Sequence, residues 1–121
     1  MRTIGHILKE IREEKGHLLQ EVQQVLDIDL TQLSKIENGK RLPTVEQLQK
    51  LAKFYNCDNK ALIIQRESDK IVYSFEYPEF AIETLKVAED KIKYGNQYIQ
   101  LFQDTIYPKP ISLESRRYIG S

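Results

Sequence analysis

The chain has 121 residues, with 18 Lys and Arg against 18 Asp and Glu, so its net charge is zero and no global field draws it to nucleic acid or membrane. Its single cysteine, Cys57, excludes an intramolecular disulfide, and no apolar run approaches the roughly 18 residues of a membrane span. Charge is weakly asymmetric: residues 1–66 hold 11 basic against 9 acidic side chains, and residues 67–121 hold 7 against 9.

The N-terminal MRTIGHILKE lacks the apolar core of a secretory signal. Ile4, Ile7, Leu8 and Ile11 recur at i, i+3, i+4, i+7 and predict a first helix, with Thr3 as its cap. Leu18, Val22, Val25 and Leu26 give a second helix one apolar face, and Ile28 plugs the turn that follows. Asp29 can cap a third helix, with Gln32 completing a capping box. In that helix Leu33 and Ile36 point inward, while Thr31, Gln32, Ser34 and Lys35 point outward. Gly39 suits a left-handed helix stop, and Lys40 and Arg41 follow it. A short helix, a tight turn, a second short helix and a basic exit are the layout that sets a helix into the major groove of duplex DNA.

Pro43 and Thr44 open a fourth helix, with Gln47 completing a second capping box and Leu48, Leu51, Ala52 and Tyr55 facing inward. Asp58 caps a fifth helix carrying Ala61, Leu62 and Ile64. Residues 71–77 (IVYSFEY) are rich in β-formers and fit either a strand or the end of a long fifth helix. The helix is the favoured reading because the surrounding chain is helical, and Pro78 stops either one. Beyond it, Ala81, Leu85, Ala88, Ile92, Gly95, Ile99, Phe102 and Ile106 alternate at spacings of four and three, a heptad seam. This segment is one long helix that pairs with a partner, or two short helices broken at Gly95-Asn96 that fold back. Residues 107–121 have two prolines and no periodicity and read as extended or disordered.

The string LSKIENGKRLPT resembles the segment shared by the Cro/phage-repressor-like (XRE-type) helix-turn-helix family, and the resemblance covers residues 3–66. It implies an all-α chain: a five-helix DNA-binding bundle, followed here by a helical oligomerisation extension over 67–106 and a tail over 107–121. By position it makes Leu30, Thr31, Gln32 and Lys35 the base readers. Ser34, Asn38, Lys40 and Arg41 would hold the DNA backbone, and Arg12 would pair with Glu37. The chain departs from the family in three places. Gln23 stands where a small residue is usual, Asp27 where the turn usually has Gly, and Leu18-Leu19 where a polar cap and a glutamine are common. Asp tolerates left-handed backbone, so the turn is kept, and Gln20 takes over the phosphate contact.

Other chemistries find no support. His6 and His17 lack a ligand-spaced set of partners. Glu13-Glu14 and Glu89-Asp90 read as solvated helix charges, and Cys57 as a small buried hydrophobe. No catalytic, metal or cofactor site is expected. The expectation is a cytoplasmic, sequence-specific regulator that binds double-stranded DNA as a homodimer. Restriction–modification controller proteins are one subgroup it resembles, and Leu85, Ala88, Ile92, Gly95, Ile99 and Phe102 form its dimer seam. The alternative is an antitoxin or interaction module whose C-terminal segment binds a partner protein, with DNA binding for autoregulation.

Overall fold

The structure, a computed structural model, describes residues 1–95. They divide into two units, with the boundary between Ser74 and Phe75. The described residues are helical, with no strand among them.

The first unit holds five helices: α1 Ile4–Glu14, α2 Leu19–Leu26, α3 Leu30–Glu37, α4 Val45–Tyr55 and α5 Asn59–Ser74. Local chemistry sets their starts. Thr3 accepts from the His6 N–H, whose ring in turn accepts from the Thr3 N–H. Thr44 and Gln47 form the same reciprocal pair at α4. Asp29 accepts from the Gln32 N–H at 2.7 Å, but the expected return bond from Gln32 is not formed, so α3 has half of the box. At α2 the Glu21 carboxylate accepts from the Leu18 N–H. Two helices end on non-glycine residues in left-handed backbone, Asp27 at φ 53° and Asn56 at φ 54°. Short polar side chains tolerate that conformation.

The core is made by one face of each helix. Ile4 and Leu8, Val22 and Leu26, Leu33 and Ile36, Leu48, Leu51 and Tyr55, and Leu62 are all buried. Fully burying one such aliphatic side chain stabilises the fold by about 1.5–3 kcal/mol. On α5 the inward pair is Leu62 with the half-buried Ile63, while Ala61 and Ile64 are exposed. The helix meets the bundle along a narrow line, and a position one residue off it is turned to solvent. This helix runs past residue 66 to Ser74, so the β-rich string is helical over its first four residues.

In the second unit a 3-10 turn at Pro78–Phe80 leads into α6, Ala81–Tyr94. The helix stops there, because Gly95 takes φ +58°. α6 thus carries the seam from Ala81 to Ile92, with Gly95 as its C-terminal cap. Leu85, Ala88 and Ile92 are all exposed on α6. Ile99, Phe102 and the tail lie outside the described residues.

Candidate nucleic-acid interface

α3 is eight residues long and carries two opposed faces. Leu33, Ile36 and Glu37 are buried against the bundle. Leu30, Thr31, Ser34 and Lys35 repeat at helical spacing on the other side and are exposed. They line, with Asn38 and Lys40, one shallow depression of about 410 Å³. Six of the residues expected at a DNA surface are thus brought together. Gln32 is half-buried and Gln20 stands on the exposed first turn of α2, both outside this depression. Arg41 lines a neighbouring cleft that shares Lys40.

The exit from α3 is built by backbone. Gly39 takes φ +76°, and the Lys40 and Arg41 amides both donate to the Lys35 carbonyl, at 2.8 and 3.2 Å. A side chain at Gly39 would also press on Thr3, 3.0 Å from its Cγ2 and Oγ1. Asn38 Nδ2 donates to Ser34 Oγ at 3.3 Å. Among the described residues, Lys35, Lys40 and Arg41 form no ion pair. Three exposed cations with no ion-pair partner, beside short polar groups, make this face locally electropositive and suited to a polyanion.

Behind α3, Arg12 grips Glu37 with two bonds, Nε to Oε2 at 2.9 Å and Nη2 to Oε1 at 3.0 Å. Its third nitrogen donates to the His17 carbonyl at 3.0 Å. The side chains are only 11% and 6% exposed. The hydrogen bond to Glu37 raises the guanidinium pKa further, so Arg12 stays cationic. One cation therefore ties the end of α3 to α1 and to the α1–α2 loop. That loop is fastened again by the His17 ring, which packs on Phe54 with centroids 4.5 Å apart.

Two anchors escape sequence reasoning. Arg66 on α5 donates to the Pro43 carbonyl at 2.6 Å. The buried Asp69 accepts from the Ile4 N–H at 2.8 Å. Both join positions far apart in the chain, and no periodicity marks them. Burial pushes the pKa of the half-buried Cys57 thiol up, which favours its protonated form. Among the described residues no cluster of His, Cys, Asp and Glu could hold a metal ion, and no helix is long and apolar enough to cross a membrane.

A helix-turn-helix family model matches residues 8–58, the span from the middle of α1 to the end of α4 and the turn after it. The ImmF control region 10 kDa protein of Bacillus phage phi105 is 39% identical over 62 residues, which cover 50% of this chain and 68% of the relative. No solved structure matches the chain. An eight-residue helix with an outward stripe, braced by a buried ion pair, a matching family model and a phage control-region relative agree, and the chain belongs to the Cro/repressor-like (XRE-type) helix-turn-helix family of DNA-binding transcriptional regulators.

Proposed function

We propose that the chain regulates transcription from the cytoplasm by binding a specific duplex site as a homodimer, with α3 in the major groove. The observation that carries this reading is the stripe itself. Leu30, Thr31, Ser34 and Lys35 are exposed together and continue into Lys40, while the opposite face of α3 is fixed by Leu33, Ile36 and Glu37. Leu30, Thr31, Gln32 and Lys35 read bases. Gln20, Ser34, Asn38, Lys40 and Arg41 hold phosphates and set the register. A single α3 reads about half a site, and two copies would engage half-sites roughly 34–36 Å apart. The exposed Leu85, Ala88 and Ile92 on α6 support a second copy as partner for the C-terminal part of the chain.

Selection of duplexes from a randomised pool by the full chain, followed by footprinting of the enriched sequence, tests this. The expected result is an imperfect palindrome protected on one face of the duplex. A pool that does not converge would overturn sequence-specific recognition, and a single unrepeated half-site would overturn the dimer.

A further inference from the structure

Lys40 and Arg41 sit on a loop, residues 39–43, that spans from α3 to α4. Beneath one side of it lies an open cleft of about 480 Å³, bounded by Lys40, Arg41, Asp69 and Tyr73 among others. Leu42 packs against the core and the Pro43 side chain is fully buried, and hydrogen bonds at the two ends add to that seat in fixing the backbone of the loop. At the α3 end the loop is held by the two amide bonds to the Lys35 carbonyl. At the far end Arg66 Nε donates to the Pro43 carbonyl at 2.6 Å, and Nη1 of the same guanidinium is anchored on Glu67 at 2.8 Å. Arg66 is 16% exposed. Three residues on along α5, Asp69 holds the Ile4 amide. That bond fixes Thr3–Ile4, the wall against which Gly39 rests. A single helix thus grips the end of the loop directly and the wall beside its start indirectly.

We infer that Arg66 and Asp69 are positioning residues for the phosphate clamp: they touch no DNA themselves but hold residues 39–43 so that Lys40 and Arg41 are presented beside the α3 stripe. The inference rests on the reading of Lys40 and Arg41 as phosphate contacts. It places part of the DNA-binding apparatus on α5 beyond residue 58, the end of the span that the family model matches.

A double-mutant cycle in the full chain tests it, measured on the selected duplex and on a mixed-sequence duplex over a range of salt. Arg66→Ala in the parent is expected to weaken binding about tenfold and to lower the salt slope by about one unit, the effect of roughly one phosphate contact. In a Lys40→Ala/Arg41→Ala background the same substitution should change affinity less than about twofold, because the group it positions is gone. Affinities are corrected for the folded fraction from a denaturation curve. Asp69→Ala should behave likewise, with Asp69→Asn, which keeps an acceptor for the Ile4 amide, restoring the parent slope. An equal loss in both backgrounds overturns positioning and leaves the clamp standing. A Lys40→Ala/Arg41→Ala protein that binds as the parent does overturns the clamp and the inference together. If Arg66→Ala does not fold, Arg66→Lys is read by amide exchange at Lys40 and Arg41: faster exchange than in the parent supports positioning, and unchanged exchange overturns it.

Discussion

Gly5 on α1 lies directly against the backbone of Ile36 on α3. A Cβ built at Gly5 would stand 1.8 Å from the Ile36 carbonyl oxygen and 3.3 Å from the carbonyl carbon of Glu37. The obstacle is main chain, so no rotamer change relieves it. Gly5→Ala, a substitution that favours an exposed helix by about 1 kcal/mol, should here lower the melting temperature and tilt α3 away from α1. Thermal melts and operator affinity would show both effects, and a variant as stable as the parent would contradict this packing.

The buried pair of Arg12 and Glu37 should be strongly one-sided in mutagenesis. Removing Glu37 leaves a guanidinium nearly enclosed, a loss of about 3–5 kcal/mol for a pair of this kind. Glu13 also approaches Arg12, at 3.9 Å, but it is 58% exposed, and Glu13→Ala should cost at most about 1 kcal/mol. Urea denaturation of the two variants side by side decides, and equal midpoints would refute the distinction.

Lys35 offers a test of base reading as opposed to phosphate holding. Its position mid-stripe on α3 suits donation to guanine O6 and N7, a contact that discriminates by about 1–3 kcal/mol. Lys35→Ala should relax the preference at one base pair of each half-site in a library selection. Uniformly weaker binding with every preference retained would assign Lys35 to the backbone.

Acid stability should depend on Glu21. Its carboxylate accepts from His17 at 2.7 Å and from the Leu18 amide. These bonds, the His17 bond first, hold its pKa below the usual 4.5. A carboxylate with a depressed folded pKa contributes stability that is fully present above its unfolded pKa and is lost as pH falls through the folded value. The difference in melting temperature between the parent and Glu21→Gln should therefore be largest above about pH 5 and shrink as the pH is lowered below it. A difference that stays constant across this range would exclude Glu21 titration as its source.

The partner surface on α6 is checked by mass. Ile92 is 85% exposed and shares an exposed face with Leu85. If these side chains meet a second copy, Leu85→Asp/Ile92→Asp should sediment as a folded monomer and bind a full site far more weakly. A double variant that stays dimeric would move the interface off α6.

Helix starts were the most legible part of this chain, because a cap is a contact between residues two or three apart. Thr3, Asp29, Thr44 and Asp58 announce themselves, and the apolar spacing of α1 to α4 identifies their buried sides. The exposed stripe on α3 follows from the same periodicity. Legibility ends where contacts cross the chain. Nothing local marks Gly5 as the point where two backbones meet, or pairs Arg66 with Pro43 and Asp69 with Ile4. The missing Gln32 bond shows the limit of a motif, since the side chain that should return to Asp29 has no such bond. Beyond residue 66, β-branched and aromatic side chains outweighed no tertiary constraint, and the helix simply ran on to Ser74.

Because α3 is fastened from behind by Leu33, Ile36 and Glu37 and at its end by Gly39, its outward positions carry only a small share of the fold. Leu30, Thr31, Ser34 and Lys35 are free to vary as a set. A duplicated copy of such a regulator could acquire a new target by a few codon changes in this one turn-and-a-half of helix. Its scaffold, and the stability that selection must preserve, would be inherited unchanged.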